Sequence, residues 1–188
     1  MADDIVDVIK AQHREVDRLL EQAMEGGGDT AALLRRVSEL LLPHSQAEES
    51  FVYPTIAQRA PAEGDEVKDG VAEHHHIEQV LQELLGEDPE APGFDGKLAA
   101  LVGELRHHVE EEEQDLLPVL SEQASDEDRA AMGARFAEET RWTGGSGGSG
   151  GADQELTRDE LYEKAKEQDV PGRSRMTKAE LEQAVDEG

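Results

Sequence analysis

The sequence predicts an all-α protein: an antiparallel up-down four-helix bundle with a short extra helix, followed by a small C-terminal helix–loop–helix module. Three observations predict it. Apolar residues recur at three- and four-residue spacing through four long segments. The connections between those segments are short, which makes chain neighbours antiparallel. The composition is 36% hydrophobic but only 3% aromatic, so Ala and Leu must build the core, and that suits packed helices better than a sheet.

The first helix is expected from about Asp4 to Glu25, with Ile5, Val6, Ile9, Val16, Leu19 and Leu20 on one stripe and a stop at Gly26-Gly27-Gly28. The second starts after Asp29 or Thr30 and runs to about Arg59. Pro43 falls inside it and is expected to kink or split it one residue before His44. The third spans about Gly64 to Leu85, with Gly86, Pro89 and Pro92 beyond its end. The fourth runs from about Asp95 to Leu120. A shorter helix from about Asp126 to Thr140 follows Ser125, which suits a cap.

The run "GGSGGSGG" at 144–151 reads as a Gly/Ser linker. It divides the chain into a bundle over 1–143 and a module over 152–188. In the module, Thr157-Arg158-Asp159-Glu160 and Thr177-Lys178-Ala179-Glu180 are capping boxes, and Val170-Pro171-Gly172-Arg173-Ser174 is a turn between two short helices. "LTRDELYEKAKEQDVPGRSRMTKAELEQAV" resembles the Rho N-terminal/SAP-like helix–extended loop–helix module, and that resemblance implies nucleic-acid contact. Arg173, Arg175 and Lys178 are the basic cluster. Yet the module holds 11 acidic and 6 basic residues, so a weak contact or a protein partner is equally compatible.

The formal net charge is -27, from 45 acidic and 18 basic residues. Such a surface repels nucleic-acid backbones and anionic membranes. The absence of cysteine excludes disulfides, zinc–thiolate sites and iron–sulfur clusters. "MADDIVDVIK" has no signal pattern, and no apolar run approaches the roughly 18 residues of a membrane span. These features lead to the expectation of a soluble, cytoplasmic protein without membrane contact.

Two stretches share a frame. "HSQAEESFVYP" at 44–54 and "HVEEEEQDLLP" at 108–118 each place a Glu four residues after a His and a Pro ten after it. Gln12-His13-Arg14-Glu15-Val16-Asp17 likewise matches Glu73-His74-His75-His76-Ile77-Glu78. The first helix pair is thus repeated by the second. Positions four apart on a helix lie within about 40° of each other, so His44 and Glu48 share a face, as do His108 and Glu112. His13 sits on the stripe of Ile9, Val16 and Leu20; His74 sits on that of Val67, Val71, Ile77 and Leu81.

Burying four imidazoles and two carboxylates without partners costs several kcal/mol each, so roughly 10 kcal/mol or more in all. Two divalent ions, each with two imidazoles and sharing two carboxylates, would satisfy every group. Mixed imidazole and carboxylate donors point to iron, with manganese and zinc as competitors. His75, His76 and His107 rotate off these faces and are expected on the surface, although His107-Glu111 is also an HxxxE. Phe51, Thr55, Asp115 and Val119 fall on the ligand faces as pocket liners. Tyr53, half a turn from His44, reads as packing.

The order His13, His44-Glu48, His74, His108-Glu112 resembles the hemerythrin-like, or HHE cation-binding, family over about residues 1–120. The resemblance implies a non-haem di-iron centre in a four-helix bundle. One iron would take His13 and His44, the other His74 and His108, with Glu48 and Glu112 bridging. The oxygen-carrying hemerythrins have a fifth histidine from an HxxxH pair on the third helix and an Asp as one bridge. Here Gly70 precedes His74 by four, Glu78 follows it by four, and a Glu replaces the Asp. Glu78 is a candidate to fill the gap; Asp17 and Glu78 are alternatively outer partners.

Three function classes fit these residues. One is a protein that binds or senses O2, NO or peroxide on two carboxylate-bridged iron ions, or that handles iron. A second is a di-iron oxidase or peroxide-degrading enzyme on the same ligands. The third is a metal-regulated interaction protein whose tail binds nucleic acid or a protein.

Overall fold

A computed structural model describes residues 3–26 and 29–142. The linker at 144–151 and the module at 152–188 lie outside the described residues. Helix α1 is Ile5–Glu25 and α2 is Thr30–Ala47. A wide π-type turn, Glu48–Val52, joins α2 to α3, Tyr53–Arg59. A short 3-10 turn, Pro61–Glu63, leads into α4, Gly64–Leu85. Helix α5, Phe94–Glu111, passes through a second π-type turn, Glu112–Leu116, into α6, Leu117–Gln123. Helix α7, Asp126–Glu139, completes the described chain.

Local chemistry explains the boundaries. Asp4 and Asp29 cap α1 and α2 by accepting from the backbone N–H of Val6 and Ala32, each at 3.0 Å. Ser125 caps α7 in the same way through Asp128 N–H at 3.1 Å. Gly26 ends α1 at φ 66°, a conformation that disfavours a side chain.

The break expected at Pro43 occurs elsewhere. Helix α2 runs through Pro43 without interruption, and its regular winding is lost only at Glu48. The physical reason lies further along. Pro54 and Pro118 have no N–H to give the preceding turn, and a proline ring collides with the carbonyl four residues back. Widening that turn relieves the collision. Each π-type turn therefore sits between a Glu and the Pro six residues after it.

Helix α1 packs against α2 and α5, and α4 packs against the same two, which closes a four-helix bundle. Helix α7 lies against α1 and α2. Its approach requires Gly133, because a Cβ there would run into the backbone carbonyl oxygen of Asp3. The core forms two apolar clusters. One joins Val16, Leu20, Leu34, Val37, Leu81, Leu101 and their neighbours. The other joins Ile5, Ile9, Val52, Tyr53, Ile56, Leu117 and Phe136. No helix among the described residues is long and apolar enough to cross a membrane.

Candidate metal centre

A layer of polar side chains separates the two apolar clusters. On α1, His13 falls between Ile9 and Val16; on α2, His44 falls between Leu41 and Ala47. His74 on α4 and His108 on α5 come to the same level, and the first residues of the two π-type turns are Glu48 and Glu112. All six are buried; Glu48 is 0% and Glu112 1% exposed.

The ligand atoms converge. Those of His13, His44, Glu48 and Glu112 all lie within 4.8 Å of one another. His44 Nε2 is 3.0 Å from Glu48 Oε1, and His13 Nε2 is 3.3 Å from Glu112 Oε2. Glu48 reaches across the bundle, its Oε2 standing 3.3 Å from His74 Nε2. The rings of His74 and His108 meet edge to face, 4.6 Å between centroids.

Each histidine is oriented from behind through its other nitrogen. His13 Nδ1 donates to Glu113 at 2.9 Å, His74 Nδ1 to Glu49 at 3.1 Å, and His108 Nδ1 to Glu73 at 2.9 Å. His44 Nδ1 donates to the Gln12 side-chain oxygen at 3.0 Å. The Gln12 amide is fixed in turn: it donates to Thr140 Oγ1 at 2.9 Å, and that hydroxyl donates to the Phe136 carbonyl at 2.8 Å. With a proton held on Nδ1, an imidazole in its neutral form presents a lone pair inward at Nε2.

These residues fit a metal. The Nε2 atoms of His13 and His44 face each other at 3.1 Å. In the neutral tautomers both nitrogens present lone pairs, and a metal ion or a shared proton between them relieves the repulsion. The oxygens of Glu48 and Glu112 have no hydrogen-bond partner beyond the imidazole nitrogens that face them, despite full burial. With neither metal ions nor protons on those nitrogens, the two buried carboxylates would cost several kcal/mol, on the order of 3 kcal/mol each. The electrostatics agree. Burial opposes charge on His13, but Glu112 and Glu113 outweigh it and push its pKa up to about 9. Burial likewise opposes charge on His74, yet Glu48 prevails and raises it to about 8. Burial alone would raise Glu48, but His44 and His74 hold it well below the usual carboxylate range. In the absence of metal, the pocket draws protons into the place of positive ions.

A hemerythrin HHE cation binding domain matches residues 4–120. The chain belongs to the hemerythrin HHE cation-binding family. Within curated proteins, this hemerythrin-type chain is similar to a DNA nickase of Nostoc sp. (strain PCC 7120 / SAG 25.82 / UTEX 2576), 24% identical over 136 residues. The match covers 71% of this chain but only 38% of that relative. No solved structure matches the chain. Helix α7 lies beyond the matched hemerythrin stretch, and it is α7 that brings Phe136 edge-on against His44, 5.3 Å between centroids.

Several sequence expectations change here. Tyr53, read as packing, points into the site. Its ring stacks on His74 at 5.5 Å and 9°, and its hydroxyl is 3.4 Å from His74 Nε2. The π-type turn is the cause, because a wider turn rotates the chain less per residue and brings Tyr53 round. A side chain at position 70 would press on that hydroxyl, since a Cβ at Gly70 would be 3.1 Å from it. Tyr53 thus fills the space above His74 that an HxxxH histidine would need. Burial and the charges of Glu112 and Glu48 raise the Tyr53 pKa, so the metal-free side chain is a neutral phenol. Glu78 joins neither His/Glu cluster of the described residues, and Asp17 instead accepts from Arg106 at 2.6 Å. Of the expected pocket liners, Phe51 and Val119 enter the second apolar cluster, and Thr55 donates to the Phe51 carbonyl. Gln12, Glu49, Glu73 and Glu113 were not identified in the sequence; each is the immediate chain neighbour of an expected ligand.

Proposed function

We propose that these side chains hold two iron ions, with His13 and His44 on one, His74 and His108 on the other, and Glu48 and Glu112 shared. The two inward lone pairs of His13 and His44, 3.1 Å apart, carry the reading. An all-nitrogen and oxygen donor set in a cysteine-free chain favours iron, with manganese and zinc as competitors. Such a pair, when bound, supplies reversible electron transfer and a coordination position for O2, NO or peroxide.

The chain supplies the rest. Two apolar clusters flank the layer. Gln12, Glu49, Glu73 and Glu113 hold the imidazoles in one tautomer and raise their basicity. The Tyr53 hydroxyl, the one phenol at the site among the described residues, gives a bound small molecule a hydrogen-bond donor, or gives the His74 side a fifth ligand. This supports a ligand-binding or redox-sensing role. Peroxide turnover uses the same groups, and Tyr53 is the observation that favours it as second reading.

The Nostoc relative's name raises the further possibility of nucleic-acid contact. A net charge of -27 weighs against it for the bundle and leaves the basic residues at 173, 175 and 178 as its carriers.

The test is elemental analysis and the visible spectrum of protein loaded with ferrous iron without oxygen and then oxidised. About two irons per chain are expected for the bundle's six donors. Protein that retains no metal, or a His44→Ala variant that retains as much, overturns the proposal.

A further inference from the structure

The repeat in the sequence is broken in one respect. His13 pairs with His74 at a separation of 61 residues, and His44 with His108 at a separation of 64. Carrying these offsets along each helix pairs Ile5, Val8, Ile9 and Gln12 with Glu66, Asp69, Gly70 and Glu73. It likewise pairs Pro43, Ala47 and Phe51 with His107, Glu111 and Asp115. The first set is uncharged, and α7 covers that side with Phe136, which touches the rings of both His44 and Phe51. The second set is mostly acidic, and apart from Gly70, which Tyr53 of α3 covers, its members are exposed or half-exposed.

On that uncovered side, between α4 and α5, a groove of about 510 Å3 is lined by Glu66, Asp69, Glu73, Glu104, His107 and Glu111. It adjoins a narrow cleft of about 20 Å3, about one water across, which shares Glu73 and Glu111 and ends at His108 and Glu112. At the mouth, ligand atoms of Glu73, His107 and Glu111 lie within 4.8 Å of one another. His107 Nε2 is 3.4 Å from Glu111 Oε1. At the inner end, both Glu112 oxygens lack a hydrogen-bond partner in a side chain 1% exposed. One oxygen of Glu104 in the groove wall is likewise without a partner. Glu73 belongs to both levels, because it also accepts from His108 Nδ1.

The geometry points to an inlet for divalent cations. His107, Glu111 and Glu73 form an outer binding site, from which a cation passes through the cleft to His108 and Glu112. Nitrogen and oxygen donors at a half-exposed mouth bind a partly hydrated ion weakly enough to release it inward. The second HxxxE of α5, His107-Glu111, thereby acquires a role distinct from that of His108-Glu112. The inlet rests on the inner metal centre proposed above; the outer site does not.

The test uses the full chain, stripped of metal, and a His107→Ala/Glu111→Gln variant, with Co2+ and Fe2+ as probes. Both substituted residues are exposed, so circular dichroism is expected to be unchanged. Calorimetry is expected to find one weak equivalent that the variant lacks. Stopped-flow loading is expected to slow by about tenfold while the final tightly held content stays the same. Glu122→Gln, an exposed carboxylate that lines neither the groove nor the cleft, is expected to load at the unsubstituted rate. Equal rates and equal stoichiometry for the two proteins overturn the inlet, as does equal slowing in Glu122→Gln. If neither protein holds tight metal but only the unsubstituted chain binds the weak equivalent, the inner centre fails and the outer site stands.

Discussion

Thr140 anchors Gln12 across 128 residues of chain, accepting its amide hydrogen at 2.9 Å. This bond decides which end of the Gln12 amide faces His44, and so which nitrogen of His44 keeps its proton. Gln12→Leu removes the acceptor for Nδ1. Metal affinity is expected to fall by about 10- to 100-fold with the bundle intact. Competition with a chromophoric chelator measures it, and Thr140→Val is expected to show a smaller loss in the same direction.

The inner ligands and the surface histidines are expected to separate cleanly. His74→Ala and Glu48→Gln each remove a group directed at the proposed ions, and elemental analysis is expected to show lost metal. His76, whose side chain is 58% exposed and paired with Glu104, is expected to be dispensable for content.

Tyr53→Phe keeps the ring stacked on His74 and deletes only the hydroxyl. Metal content and melting temperature are expected to persist while the visible spectrum of the loaded, oxidised protein changes. Gly70→Ala tests the same contact from the other side, because its Cβ presses on the hydroxyl at 3.1 Å. The spectrum is expected to shift there too, and an unchanged spectrum in both variants would remove Tyr53 from the site.

The metal-free protein has a predictable response to pH. His13 moves from 6.5 unfolded to about 9 folded. A group raised in this way contributes stability that is fully present below its unfolded value and lost as pH rises through the folded one. His74, raised to about 8, acts in the same direction. Glu48, held low, contributes above its unfolded value and loses that contribution in strong acid. Burial and the charge on His74 lower His108, which favours folding as pH rises, but only below 6.5. Urea midpoints in chelator are therefore expected to decline from 6.5 toward about 9. Loading releases these protons, and calorimetry in buffers of different ionisation enthalpy counts them.

Helix α7 belongs structurally to the bundle. Phe136 is fully buried, and Phe136→Ala is expected to cost about 3–5 kcal/mol in denaturant unfolding. Gly133→Ala forces a methyl group against the Asp3 backbone and is expected to cost about 1–3 kcal/mol.

Helix positions were legible from apolar spacing because each bundle helix has one inward face, and the cap residues Asp29 and Ser125 marked two of the starts. The six inward-facing groups were legible because an i, i+4 pair holds its geometry inside a regular helix. Tyr53 was not, because its direction depends on the π-type turn before it. Pro54 was the available signal: it signals a disturbed turn, though not by how far that turn rotates the chain. Gln12, Glu49, Glu73 and Glu113 were hidden by abundance, since carboxylates cover the whole surface. Which of them turn inward depends on the partner helix. The inlet was invisible until the covered and uncovered halves of the repeat could be compared side by side.

The polar layer stands between two oily blocks. Filled with ions, it would rivet the blocks together; emptied, it is held by imidazole–carboxylate pairs alone. Loss of the ions is thus expected to uncouple the two ends of the molecule, so that one sharp calorimetric melting peak becomes two broader ones.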